Sequence, residues 1–503
     1  VIVEKEYPNR WEAIRRAAAA AACFVLLASM SYGCTALARR GASSRAPVDP
    51  ATPWSPPAGA ARPVKERASK IELPEELLAS KASWTLEDIV DLALRNNSAT
   101  RASWQAARAA AAKVGSKRGA YFPQVDGSAY YSRTKNSYSQ EFSVEQKTYG
   151  PSLALQFILF DFGKTRADVE EAREALYAAN WTHNATIQTV VLQVETAYYQ
   201  YLYAKALCSA DSAAVHEASV NLDAAEERHK AGLATVADVM QARSNYSQRK
   251  LALQSVTGQL QTIRGSLATA MGLPPTIDYD IGFLPSNIPT DQVSETVEEL
   301  LRQAEQGRPD LAAARASALS AKAHARSVER SGLPSITLQG SVGRRYFDNP
   351  DVFSNNYSEG IFLSVPLFTG FSHSYDVIEA RAQAERAAEQ YELLKSQVDL
   401  DVWSSYYDLK TAVDRITTAR EYLDSATETH AVALERYKAG VGSILELLAA
   451  QTALEDARAQ DLQARTDWFL ALAGLAHATG RLEPAGAPSS PHSSGEGDKD
   501  KQR

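Results

Sequence analysis

Lys164-Thr165-Arg166-Ala167-Asp168-Val169-Glu170 opens a stretch that runs to Glu227-Arg228-His229-Lys230 without one proline or glycine. An unbroken α-helix over residues 164–230 would be roughly 100 Å long, at about 1.5 Å per residue. Residues 372–438 are likewise free of Pro and Gly. A helix of this length does not fit inside a compact domain and needs lateral partners along its whole length. The segment that follows the first run supplies one. Leu253, Val256, Leu260, Ile263, Leu267 and Ala270 alternate in steps of three and four, the seam of a coiled coil.

The two long runs belong to a duplication. Leu159-Phe160-Asp161-Phe162-Gly163 returns as Leu367-Phe368-Thr369-Gly370-Phe371, an offset of 208. At the same offset Tyr198-Tyr199 meets Tyr406-Tyr407, Arg228, Lys230, Ala231 and Gly232 meet Arg436, Lys438, Ala439 and Gly440, and Gly272 meets Gly480. Upstream the offset becomes 211, where Pro123 meets Pro334 and Ala102 meets Ala313. A slip of three residues is what a surface loop tolerates. Fixed-period self-similarity of this kind governs the reading of the whole fold. Repeat 1 covers 84–272 and repeat 2 covers 293–482, with an inter-repeat segment at 273–292. Each repeat reads as helix, two strands, long helix, tight turn, helix; Trp84 to about Arg118 forms the first helix, with Thr85 as its N-cap.

The strands are expected at about 121–132 and 150–160, and at about 334–345 and 358–368. Leu153, Leu155, Phe157 and Leu159 line one face, against Ser152, Ala154 and Gln156 on the other; Ile361, Leu363, Val365 and Leu367 repeat that apolar face. Such alternation means one dry face and one wet face. The polar stretches 133–148 and 344–358 read as loops. Four strands with an apolar face leave exposed edges, which aggregate in water and are forbidden in lipid. Closure into a barrel removes them, and four strands are too few for an open pore, so sharing a barrel among identical chains is the economical solution.

Outside the repeats, Arg15-Arg16 precedes a largely apolar run from Ala17 to Met30, the pattern of an export signal over 1–38. Cleavage is expected before Cys34, as in a lipoprotein with an acylated cysteine, or after Ala38 at Ala36-Leu37-Ala38. Residues 39–83 read as a Pro/Ala-rich linker and 483–503 as a disordered polar tail.

The bulk numbers exclude several classes. With 45% hydrophobic and 22% charged residues the chain is a folded protein, and a net charge of -7 argues against nucleic-acid binding. Three cysteines, two of them within the export segment, rule out a disulfide framework or Cys-based zinc site. No HExxH pair occurs, and Gly163-Lys164-Thr165 lacks the earlier P-loop glycine, its place being taken by Ile158. No catalytic site, metal site or cofactor is expected. Beyond the export segment no apolar run reaches the roughly 18 residues of a spanning helix.

The tight turns end the long helices. Gly232 and Gly440 suit the left-handed stop, Lys230 and Lys438 the negative helix end, and Thr235 with Asp238, or Ser443 with Glu446, the capping-box spacing. The turns lie at 230–235 and 438–443.

Trp84-Thr85-Leu86-Glu87-Asp88-Ile89-Val90-Asp91-Leu92-Ala93-Leu94 followed by Asn96-Asn97 resembles the opening of the TolC-like outer-membrane efflux family. Ala120-Tyr121-Phe122-Pro123-Gln124, Leu159-Phe160-Asp161-Phe162-Gly163 and Glu227-Arg228-His229-Lys230-Ala231-Gly232-Leu233 are similar to later members of its pattern, in order and in both halves. The resemblance implies a mainly α fold with a transmembrane β portion. Four strands per chain would build a homotrimeric twelve-stranded barrel in outer-membrane lipid, and the helical hairpins a periplasmic tunnel with an equatorial belt from 273–292. It implies a non-enzymatic exit duct of a tripartite efflux or type I secretion system in a Gram-negative outer membrane. Its partners would be a periplasmic adaptor protein and an inner-membrane efflux pump or ABC exporter. By the same resemblance the tips form the periplasmic gate, with Glu446 as its acidic residue and Asp238 in an inter-helix latch. Ala449 and Gly442 stand where some members carry a second carboxylate and a latch arginine. The eight apolar strand residues above would face lipid. A non-pore periplasmic coiled-coil scaffold is the alternative reading.

Overall fold

The computed structural model describes residues 84–137, 143–285, 288–289, 295–347 and 352–482. The export segment with Cys34, the linker, the tail and part of the inter-repeat segment lie outside the described residues. Repeat 1 comprises α1 (Leu86–Asn96), α2 (Ser98–Arg118), β1 (Gln124–Ser137), β2 (Ser143–Phe160), α3 (Lys164–Lys230) and α4 (Val236–Ala270). Repeat 2 comprises α5 (Val297–Gly307), α6 (Pro309–Ser331), β3 (Ser335–Tyr346), β4 (Phe353–Ser364), α7 (Ser372–Lys438) and α8 (Ile444–Ala478).

The duplication is visible in lengths and in packing. The long helices α3 and α7 both have 67 residues, and the return helices α4 and α8 both have 35. Each repeat has its own core. Ile89, Val190, Val194 and Leu267 form one, and Leu300, Val398, Val402 and Leu475 form the other. These are equivalent positions at the offsets of 211 and 208. The predicted seam of α4 is buried or half-buried at all six positions.

The single first helix expected over 84–118 is instead two. Asn97 is extended (φ -65°, ψ 132°), ends α1 and caps α2 by accepting the Ala99 N–H at 2.7 Å. The equivalent break falls at Arg308, before Pro309. Proline at the first helical position forces the preceding residue out of the helical region. The reason for both breaks is a glycine from the far end of the repeat. Gly272 (φ +74°) and Gly480 (φ +73°) press against the broken turns, so that a Cβ on either would lie 2.7 or 2.6 Å from the carbonyl of Asn96 or Gly307. Thr85, by contrast, forms the predicted N-cap, completed by Asp88 as a capping box.

The four strands make one antiparallel sheet in the order β1-β2-β3-β4. Val125 opposes Leu155, Leu153 opposes Val342, and Leu338 opposes Ile361, so these six side chains share one face, while Ile158 and Phe362 fall on the other. The other face carries Gln124, Ser128, Ser152, Gln156, Gln339, Ser341 and Ser358. Hydroxyl pairs Ser128–Ser152 and Ser341–Ser358 stand 2.8 and 2.9 Å apart on it.

Strand bounds differ from expectation. β1 starts at Gln124 because Gly119–Tyr121 is a 3-10 turn closed by Phe122 N–H donating to Gly119 O. The hairpin ladder runs on to Ser137↔Ser143, through residues expected as loop, and β3 with β4 pairs up to Tyr346↔Phe353. Ladder bonds are made by backbone, so polar side chains on solvated faces do not end them. At its other end β4 stops at Ser364, because Pro366 cannot donate to a ladder. Val365 and Leu367 therefore lie beyond the strand. In β2 a bulge between Ile158 and Phe160 sets Phe160, not Leu159, opposite Ile336.

Sheet passes into helix through paired left-handed residues, Phe162 (φ 51°) with Gly163 (φ 84°) and Gly370 (φ 64°) with Phe371 (φ 67°). The Asp161 carboxylate accepts the N–H groups of Gly163 and Thr165, at 3.0 and 2.7 Å. The inter-repeat segment folds back onto the helices. Trp84 stacks on Tyr279 with centroids 5.4 Å apart, Tyr279 donates to Arg264 O at 2.6 Å, and Lys205 holds Asp280 at 2.7 Å. Among the described residues no helix is long and apolar enough to cross a membrane.

Gly480→Ala tests the closure of repeat 2. It forces alanine into left-handed backbone against the Gly307 carbonyl, and is expected to cost about 1–3 kcal/mol. A fall in the helical melting temperature measured by circular dichroism would register this. An unchanged melt would mean that the break at Arg308 does not depend on Gly480.

Candidate functional site

The two hairpin tips are built alike. In the first, the Leu233 N–H donates to Arg228 O at 2.8 Å and the Gly232 N–H to His229 O at 2.9 Å. In the second, Val441 donates to Arg436 O and Gly440 to Tyr437 O, both at 3.1 Å. Gly232 (φ +74°) and Gly440 (φ +77°) supply the left-handed residue that this Schellman closure needs. Lys230 and Lys438 sit in the last turns, each pinned by a carboxylate one turn earlier: Glu227 at 2.7 Å and Glu435 at 2.8 Å.

The restart of each hairpin separates the two acidic residues. Asp238 completes a capping box with Thr235, accepting its N–H at 2.8 Å. The hydrogen bonds from the Thr235 backbone and hydroxyl hold the Asp238 carboxyl below the usual range. Glu446 closes no such box. Its N–H donates to Ser443 Oγ at 3.2 Å, while its carboxylate projects to within 3.8 Å of Arg436. Asp238 is thus tied to its own turn, and Glu446 is the acidic side chain that reaches outward. Leu233 and Val441 at the extreme tips are each 71% exposed.

A contact between the hairpins went unread in the sequence. Arg228 of α3 donates through Nη1 to Tyr437 O of α7 at 2.8 Å, and its guanidinium lies 4.8 Å from the centre of the buried Tyr437 ring. In the sequence Arg228 stands only as a duplicated position and as part of the family-like stretch at 227–233. Its role depends on two segments more than 200 residues apart meeting, which no local spacing reports. The duplicate of Arg228 is Arg436, and it faces Glu446 instead. Gly442 gives its N–H to Arg436 O at 3.0 Å. A cleft of about 850 Å³ opens beside this contact, lined by Asn221, Arg228, Leu233, Leu434, Tyr437 and Gly440.

The sheet holds the remaining candidates. Leu153, Leu155, Phe157, Ile361 and Leu363 lie on the apolar face, with Leu159 at the bulge and Val365 and Leu367 beyond β4. Aromatic residues mark both ends of that face. Tyr149 stacks on Tyr346 with centroids 5.3 Å apart near one end; Phe160 with Phe162, and Phe368 with Phe371, make edge contacts at 4.7 and 5.4 Å at the other. Tyr198-Tyr199 serve packing, as Tyr199 stacks on Phe469 of α8 at 4.5 Å. Among the described residues no group of His, Cys, Asp or Glu side chains could hold a metal ion.

Known proteins share this architecture. A family model described as outer membrane efflux protein matches residues 89–273 and 300–481, one match in each repeat. Protein CyaE of Bordetella pertussis is 28% identical over 400 residues, covering 77% of this chain and 84% of that protein. Outer membrane protein TolC of Escherichia coli K12 is 25% identical over 397 residues, covering 74% and 78%. Among solved structures, the outer membrane protein VceC from Vibrio cholerae superposes with a TM-score of 0.70 at 22% identity, over 78% of this chain and 96% of that one. With both repeats matched and the sheet and hairpins built as described, the chain belongs to the outer membrane efflux protein family and is an outer-membrane exit duct.

Proposed function

We propose that three copies of this chain close a twelve-stranded barrel across the outer membrane, and that their helical hairpins prolong its lumen into the periplasm. The observation that carries this reading is the open sheet. Among the described residues β1 and β4 are the edges of a sheet that is apolar on one face and carries Ser and Gln on the other. Lipid admits no unpaired edge, and four strands alone enclose no lumen. From Tyr149 to Phe160 the strand rises roughly 37 Å along its axis, which a tilt near 40° reduces to about the height of an outer-membrane apolar band. Leu153, Leu155, Phe157, Ile361 and Leu363 would then face lipid between two aromatic girdles. The Ser and Gln face would line the lumen.

In this reading the tips are the periplasmic mouth. Glu446, brought near its two symmetry copies, would set an electronegative constriction. Arg228 clasping Tyr437 would hold the two hairpins of one chain together, taking the part that an arginine at Gly442 could have played. The exposed apolar tips and the cleft beside Tyr437 suit the helical hairpins of a periplasmic adaptor, through which an inner-membrane pump or ABC exporter would deliver substrate. The duct performs no chemistry; the pump supplies the free energy. Acylation at Cys34 would add a lipid anchor.

Reconstitution in planar bilayers tests the mouth. Glu446→Ala is expected to shift cation-over-anion permeability by roughly two- to threefold, and Arg228→Ala to raise the open probability by removing a contact of about 1–3 kcal/mol. Channels identical to the parent in both variants would overturn the assignment of the tips. The barrel has a separate test. Leu153→Lys would place a charge on the lipid face at about 2–4 kcal/mol, and should lower the yield of membrane-inserted protein; unaltered insertion would mean that Leu153 does not face lipid.

A further inference from the structure

A belt of polar side chains, three buried and three half-buried, crosses the four-helix seam above the tips. Glu217 and Asn221 of α3, Arg249 of α4, His430 of α7 and Gln451 and Glu455 of α8 meet there. Arg249 is ion-paired with Glu455 and donates to Thr452 Oγ1 at 3.0 Å. His430 Nε2 stands 3.1 Å from Glu217 Oε1, and Asn221 Nδ2 donates to Gln451 Oε1 at 3.2 Å. Gln451 is fully buried, His430 and Asn221 nearly so. Glu455 Oε1 and Gln451 Nε2 are buried without a hydrogen-bond partner.

The duplication shows that this belt is not needed to build a hairpin pair. At the equivalent positions Glu217 is matched by Ser425, Arg249 by Ala457, His430 by Leu222 and Glu455 by Ser247. Burying ionised groups is costly, and small or apolar side chains do the same packing at less cost. The belt occurs only where repeat 1 meets repeat 2, so a role in the relative movement of the two hairpins accounts for it better than stability.

We propose that this belt is a proton-operated clasp, in which a proton on Glu455 holds the two hairpins of one chain together and its release loosens them. The proposal rests on the tips being the duct's mouth only for its effect on conductance. The groups that bear on Glu455 are Arg249 from α4 and Glu217 and Asp211 from α3; His430 of α7 faces Glu217. Arg249 thus faces both Glu455 and Asp211, while Glu217 has His430 beside it. Burial first, and then the neighbouring Glu217 and Asp211, push the Glu455 carboxyl up to about 7 against the pull of Arg249. The folded state therefore binds this proton more tightly than the unfolded chain does. The stabilisation it brings is complete below the unfolded value of 4.5 and is lost as pH rises through about 7. Above that, three carboxylates repel across the seam.

The full-length protein in bilayers and in detergent provides the test. The ionised fraction of Glu455 rises roughly tenfold between about pH 6 and pH 8. Open probability should rise several-fold over that interval, and so should amide exchange in segments 211–221 and 449–457, corrected for its intrinsic pH dependence. Glu455→Gln, always uncharged, should stay closed and flat with pH in both measurements. The same pH response in Glu455→Gln as in the parent, or a flat parent, would overturn the clasp. A parent that conducts no ions but keeps a Glu455-dependent exchange profile would leave the clasp standing and remove the mouth.

Discussion

Among the described residues no further strand pairs with the outer edge of β1 or of β4, so each edge presents a row of backbone N–H and C=O groups. Their need for hydrogen bonds is the constraint on which the rest of the molecule depends. The apolar face forbids leaving those edges in water, and hydrocarbon forbids leaving them unpaired. Copies of the same sheet satisfy both demands at once, edge to edge, and a closed ring of sheets has an inside. The polar face, with its serine pairs at 2.8 and 2.9 Å, is suited to that inside. Everything below the sheet follows its geometry. Each hairpin of strands feeds a helix of 67 residues through two left-handed residues, so in the proposed assembly a ring of strands would continue as a ring of helices.

The internal repeat was legible because it is written in residues that cannot be exchanged freely. Gly272 and Gly480 keep their offset since each lies against a helix break where no Cβ fits. Gly232 and Gly440 keep theirs because the left-handed stop of a long helix demands them. The absence of Pro and Gly over 164–230 and 372–438 gave the long helices within a residue of their observed bounds. Strand ends were read less well. Alternation ceases where both faces become polar, yet the ladder from Gln124 to Ser137 continues, because backbone and not side chain holds it. The breaks at Asn97 and Arg308 were invisible in an Ala-rich pattern, since their cause sits more than 170 residues away.

Functional residues divided along the same line. Capping-box spacing, which is local, places Asp238 and Glu446 at the hairpin restarts, and the family resemblance alone gives them a part in the gate. That one is locked into its cap and the other reaches toward Arg436 is a matter of tertiary placement. Arg228 on Tyr437, and the polar belt of Glu217, Arg249, His430 and Glu455, arise where the repeats meet. Duplication makes such sites conspicuous afterwards, since they are where equivalent positions differ. A repeat protein of this kind spends its symmetry on the scaffold and its asymmetry on the seam between halves.

The central claim is that identical chains complete one another's sheet around a water-filled lumen. Measuring the mass of the detergent-solubilised particle by light scattering, and the conductance of that same preparation in a lipid bilayer, addresses it directly. Three chains per particle and stepwise ion currents are the predicted result. A single chain per particle, with a bilayer that stays electrically silent, would contradict it.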